Sequence, residues 1–409
     1  MAGDRDAFAT TFQAALRDRG EARTSVYDAA RFAIELQGEG GNDVFFLANA
    51  FAEHEAAAPG DRPAVIARWV AFASGMRVPP AESLDEALVN LLPRVRERSS
   101  FSLAALEIEL QLTGRDDAAL AKLRETGLAS PHRAIAGAFA AGLCHDTPTT
   151  VIDVGGAQLA EWTLDFDTAF ELAMTNLRRG TTKVAFEEVA PGVWQSPWRD
   201  SFDATRILLE DVYRDVPVKG DPVVFTIQPG VVVVAGSDDL DGLAIALGFA
   251  AEAMDQPRFM GAFPIRLGAS GWAPFEPALD HPLGLDLWKL RIMARSGAYE
   301  AQKALLDALF EKQGRQVFVA KHTAMMGEGG VIVYSAWADS GEVTALPETE
   351  TLLLGKPGKM YRASFARARE VMGDAMTPME GVYPPRHLAT RFPSDEELAR
   401  IGAEELKGA

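Results

Sequence analysis

One stretch, "DPVVFTIQPGVVVVAGSDDLDG" at residues 221–242, constrains the fold more than any other part of the chain. Valine and isoleucine are stiff at their first side-chain torsion and favour the extended backbone. Two such runs separated by Pro229-Gly230 read as a pair of strands joined by a turn. Four successive valines, Val231 to Val234, leave no polar face, so the second strand is expected to be buried. It runs into Gly236 and then a burst of acid, Asp238, Asp239 and Asp241, at the head of the helical pattern "DDLDGLAIALGFAAEAM".

Other segments repeat this grammar. Phe8, Phe12 and Leu16 fall four apart on one helix face, and Phe32, Ile34 and Leu36 alternate as in a strand. "VFFLANAFAEHEAAA" predicts a short strand entering a helix, and "RPAVIARWVAFASGM" a second helix. "SLDEALVNLLPRV" opens with Ser83 and Glu86 at capping-box spacing. "TTVIDVGG" and "LAEWTL" predict strands, and "DFDTAFELAMTNLRRG" an amphipathic helix closed by Gly180. Residues 284–313 predict a long helix, "RQVFVAKHTAMMGEGGVIVYSAW" a hairpin, and Ser394–Glu397 the start of a capped last helix. Strands come in adjacent pairs rather than alternating with helices. The expected class is therefore α+β, with mixed or mainly antiparallel sheets, packed helices and two or three subdomains. The boundaries expected are an N-terminal α+β domain at 1–125, a Gly/Pro-marked connector at 126–148, a central α+β domain at 149–280, and a C-terminal helix, hairpin and tail at 281–409.

Composition removes several functions. With 48% hydrophobic and 24% charged residues, a large core is available. The net charge of −18 argues against nucleic acid, whose binding runs on phosphate neutralisation, and against anionic membranes. A single cysteine, Cys144, allows no internal disulfide and fits a reducing compartment. The N-terminus carries Asp4, Arg5 and Asp6 and lacks a signal peptide's apolar core. No run reaches the ~18 apolar residues of a membrane span. A soluble cytoplasmic protein is expected.

Catalytic motifs fail one by one. Cys144, His145 and Asp146 are adjacent, so their side chains point to different faces. The six histidines lack zinc-site spacing. Ser270 lacks the G-x-S-x-G elbow, and "MGEGGV" lacks the Walker spacing and carries Glu328. Asp238, Asp239 and Asp241 offer hard oxygen ligands for magnesium or calcium, but acids also suit the first turn of a helix, with Asp238 as cap and Asp241 three residues on. The loop "GVWQSPWRDSFDATRI" combines Trp194, Trp198, Arg199, Asp200, Asp203 and Arg206. Tryptophan and arginine dominate binding hot spots, and the same residues also suit a core-plugging loop whose charges pair internally.

The order "NLLPRVRERSSFS", "VIDVGGAQLAEWTLDFDTAFELAMTNLRR", "SFDATRILL", "GDPVVFTIQPGVVVVAGSDD" and "FPIRLGASGWAPF" resembles the YtpQ-like family of uncharacterised bacterial proteins, from about residue 85 to about 275. The matching landmarks are Asn176-Leu177, the Asp203–Arg206 segment and the strand into Asp238-Asp239. The resemblance implies a bacterial cytosolic setting and carries no activity.

Two functions follow as expectations. The first is a non-enzymatic protein-binding adaptor, chaperone-like factor or inhibitor that recognises another protein, with no cofactor. The second is a hydrolase in which Asp200, Asp203, Asp238 and Asp239 act with a divalent metal, magnesium or calcium.

Overall fold

The computed structural model describes residues 2–29, 32–38, 41–74, 84–146, 151–256, 258–327 and 330–406. The fold is α+β: among the described residues helices accompany five sheets whose pairings are mainly antiparallel, as the adjacent strand pairs in the sequence predict. Two parallel pairings, Val317–Val319 with Val343–Pro347 and Gly330–Ala338 with Thr351–Lys356, make two of the sheets mixed. Among the described residues no helix is long and apolar enough to cross a membrane.

The chain divides into two compact units. The first comprises Met1–Leu91, Cys144–Ile152 and Asp255–Phe259. Its helix Ala2–Asp18 buries Phe8, Phe12 and Leu16, the stripe that the four-residue spacing predicts. They meet Phe32, Ile34 and Leu36 from the antiparallel sheet of Thr24–Asp28, Ala33–Gly38 and Gly41–Phe46. Helix Arg62–Ser74 adds Ile66 and Val70 to the same core, and Phe12 stacks on Phe45 at 5.2 Å.

The second unit comprises Leu92–Leu143, Asp153–Met254 and Met260–Ala409. Its six-stranded sheet runs in the order Gly271–Pro274, Ile265–Gly268, Pro222–Gln228, Val231–Gly236, Val193–Gln195, Glu187–Ala190. Val224 faces Val234 and Phe225 faces Val233, so the two strands around Pro229-Gly230 do form an antiparallel pair. Val232, Val233 and Val234 are all buried; since neighbours point to opposite faces, both faces of the sheet are covered here. Helix Leu240–Glu252 packs on this sheet. Helix Phe166–Gly180 is capped by the Asp165 carboxylate, which accepts from the Thr168 amide at 2.8 Å. Its buried positions Ala169, Phe170, Ala173 and Leu177 recur at helical spacing, and Arg178 and Arg179 lie at its negative end.

Farther along, the 29-residue helix Gly284–Lys312 packs on helix Arg98–Leu112, and Leu106, Leu306, Leu309 and Phe310 close a core with Val319 and Ala345. The hairpin Thr323–Gly327 with Gly330–Ala338 is present, and Ser394 and Glu397 form the expected capping box of helix Asp395–Ile401.

Two local readings are corrected. "LAEWTL" is not a strand: helix Gly156–Glu161 occupies its first half, because Ala157, Gln158, Leu159, Ala160 and Glu161 are favourable helix formers. The helix at "SLDEALVNLLPRV" stops at Val89, and Leu91–Glu97 is a strand burying Leu91, Pro93 and Val95 on one side; Ser83 lies outside the described residues. Pro93 is tolerated because this strand ends its sheet. The stretch 126–148 carries two strands, His132–Ala134 and Phe139–Asp146, and Phe139 through Cys144 are buried.

Candidate functional site

The tryptophan loop leaves the sheet after strand Val193–Gln195 and turns back into a short 3-10 helix, Ala204–Leu208. Asp203 sets the turn. Its buried carboxylate accepts the backbone amides of Arg199 and Asp200, both at 3.1 Å. Arg199 and Ser201 sit at φ of 54° and 70°, a region that L side chains seldom adopt. The two amide bonds to Asp203 help hold the chain there.

Arg206 points back under this turn and is 2% exposed. Its two terminal nitrogens reach the two oxygens of Asp200, each at 2.7 Å, and its Nε donates to the Thr181 hydroxyl at 3.1 Å. Burial pushes the Asp200 carboxyl up, but the hydrogen bonds and charge of Arg206 outweigh it and hold the group below the usual carboxylate range. The guanidinium also lies over the Trp198 ring, 4.5 Å from its centre.

Trp198 is fixed on its other edge by donation from its indole nitrogen to the Thr182 carbonyl at 3.0 Å. Phe186 meets it edge-on at 5.7 Å, Tyr213 meets Phe186 at 5.4 Å, and Trp272 meets Tyr213 at 5.4 Å. This chain of T-shaped contacts is the preferred aromatic geometry. Trp194 stands opposite Val234 and Glu188 in the sheet, and its buried indole N–H has no hydrogen-bond partner among the described residues.

Of these groups, Thr181, Thr182, Phe186, Trp194 and Trp198 border a groove of about 930 Å3. One wall is the irregular segment 181–186, the other the short helix Glu210–Arg214 with the residues after it to 217, and Trp194 and Trp198 lie between them. Charge at its border is largely neutralised in place. Arg178 grips Asp211 at 2.7 and 2.6 Å, Arg214 meets Glu210 at 2.8 Å, and nearby Arg199 meets Glu187 at 2.6 Å. The lining combines apolar side chains, Val184, Phe186, Trp194, Trp198 and Val216, with the polar groups of Thr181, Thr182 and Lys183.

The sequence-predicted residues divide between places. Trp194 and Trp198 line the groove, Asp200, Asp203 and Arg206 brace it, and Arg199 lies beside it on the sheet edge. Phe186 and Arg178, which line the groove, and Tyr213, buried against Phe186, were not singled out from sequence, although "KVAF" carries the large apolar side chain such a wall needs.

The acids of 238–241 do other work. Asp239 caps helix Leu240–Glu252 by accepting the Gly242 amide at 3.3 Å and meets Lys219 at 3.2 Å, so the cap is one residue later than Asp238. Asp238 accepts from the Ser237 hydroxyl at 3.0 Å, and Asp241 sits in the helix's first turn, where the dipole favours negative charge. Among the described residues, no group of three or more His, Cys, Asp or Glu side chains is placed to hold a metal ion.

Compared with protein-family models, with curated proteins and with solved structures, the chain gives no match.

Proposed function

We propose that the protein is a non-enzymatic binding protein, an adaptor, chaperone-like factor or inhibitor, that takes up an extended segment of another protein. One observation carries this reading: the 181–186 wall of the groove runs directly into Glu187–Ala190, the strand that ends the six-stranded sheet. An edge strand presents backbone donors and acceptors to an incoming strand, and an adjacent apolar cavity selects its side chain. Val184 and Val189 stand exposed along the same path. Glu188 on the edge, within a chain of net charge −18, favours a segment with lysine or arginine flanking a large apolar residue.

Selection of random nonapeptides displayed on phage against the intact protein tests it. The expected outcome is enrichment of sequences with an aromatic or large aliphatic residue between basic ones. A synthetic winner should lose at least about ten-fold in affinity, roughly 1.4 kcal/mol, toward Trp198→Ala, and a similar amount when its alternate amides are N-methylated. Enriched peptides indifferent to both changes would place recognition elsewhere, and the reading would fall.

A further inference from the structure

Within the second unit, a smaller cavity of about 250 Å3 lies far along the sequence from the groove. Helix Gly284–Lys312 contributes Ser296, Tyr299, Glu300, Lys303 and Asp307, and the segment after strand Val317–Val319 contributes Lys321 and His322. The Ser296 hydroxyl lies 2.9 Å from His322 Nδ1, and the Tyr299 ring stacks on the imidazole at 4.8 Å.

A serine within reach of a histidine suggests a nucleophile and its base. The electrostatics oppose that use. Burial, then the positive charges of Arg295 and Arg386, push the imidazole down to about 4, which makes it a weak base at neutral pH. What weakens a catalytic role identifies the field. Arg386 is fully buried, and its hydrogen bonds run to neutral acceptors: the Gln302 side chain and the carbonyls of Tyr299, Ala320 and Ala345. Its guanidinium lies 5.2 Å from the centre of the Tyr299 ring that lines the cavity. Lys303 is balanced by Asp307 at 2.6 Å. Glu300 and Asp307 against Lys303 and Lys321 leave the lining itself without net charge, Arg295 and Arg386 add positive charge that reaches His322, and Glu348 lies toward His387 and Arg369, at 3.8 and 3.7 Å. Positive charge is therefore in excess around this cavity, in a chain that is strongly acidic elsewhere.

We propose that the cavity binds a small oxyanion, a carboxylate or a phosphate group, through Lys321 and the Ser296 hydroxyl, beside Tyr299 and His322 and under the charge of Arg295 and Arg386. Its volume is below the roughly 300 Å3 at which drug-sized sites begin, which restricts the ligand to a small acid.

Calorimetric titration of the intact protein with inorganic phosphate and, separately, malonate at constant ionic strength tests this, and the anion that binds identifies the group. The expected result is a Kd below ~5 mM for one of them, weakened at least about ten-fold in Lys321→Met and unchanged in Lys219→Met, which removes the same charge far along the sheet unit. The His322 ring resonance, which titrates near 4 in the free protein, should shift its midpoint upward when that anion is present, because a bound negative charge offsets both arginines. Failure of both anions to bind below ~5 mM, binding untouched by a Lys303→Met, Lys321→Met double variant, or an unmoved His322 midpoint would each overturn the proposal.

Discussion

Arg206 and Arg386 are almost equally buried, at 2% and 0% exposure, and each lies over an aromatic ring. They differ in what receives their hydrogen bonds. Arg206 meets a carboxylate, Asp200, in a two-point grip. Arg386 is surrounded by one amide side chain and three backbone carbonyls, and its desolvation pulls it down to about 10. Hydrogen bonding is well satisfied in both places, but charge is cancelled only in the first. The groove is accordingly a place of shape and apolar contact, whereas the cavity near Arg386 is a place of field. Burial alone does not decide what an ionisable residue does for its surroundings; the identity of its acceptors does.

Three substitutions would break or sharpen this contrast. The largest effect is expected from Arg386→Ala, which removes the guanidinium's hydrogen bonds to the Gln302 oxygen and to three backbone carbonyls and leaves a cavity in the core. A loss of about 3–5 kcal/mol in urea-induced unfolding is expected. A loss under about 1 kcal/mol would mean that water replaces the guanidinium at little cost. Next comes Asp200→Asn, which converts Arg206 into a second arginine with a neutral acceptor. Because Asp200 is 45% exposed, solvent screens part of the charge, and a loss of about 1–2 kcal/mol is expected by the same measurement. An unchanged midpoint would show that a counter-charge is not what distinguishes the two sites.

Glu97 supplies the most pH-dependent case, a carboxyl whose burial pushes it up to about 7 while the Ser99 hydroxyl partly opposes the shift. A folded value above the unfolded one means that the folded state holds the extra proton. The associated stability is full below pH ~4.5 and is lost as pH rises through ~7. Glu97→Gln removes that slope. Thermal unfolding at pH 5 and pH 8 should show the parent protein losing about 2 kcal/mol more than the variant across this interval. Equal losses would place the Glu97 carboxyl in water in the folded state.

The sequence reveals the parts of this molecule that are built from near neighbours. The valine pair around Pro229-Gly230, the Asp165-capped helix and the Ser394–Glu397 box each depend on residues within a few positions, so spacing alone exposes them. The strand Leu91–Glu97 was hidden because its alternation follows a helix start and contains a proline, and its end position in the sheet emerges only from pairing. The groove was half legible: Trp194 and Trp198 are conspicuous, but Phe186 and Tyr213 gain meaning from contact. Arg386 was illegible. "YPPRHL" marks nothing, since the acceptors of its side chain lie 84, 66, 41 and 87 residues away. No local pattern can announce a group whose whole environment is assembled from remote strands and a helix.

The left-handed residues Arg199 and Ser201 have a consequence for timing. A loop held in that conformation by Asp203, Asp200 and Arg206 has its shape before any segment arrives. Little ordering remains to be done in the encounter, so related segments should reach the tryptophans at similar speeds. They should differ in how long they stay. The groove would then sort its ligands by residence, like a ratchet that admits many and retains few.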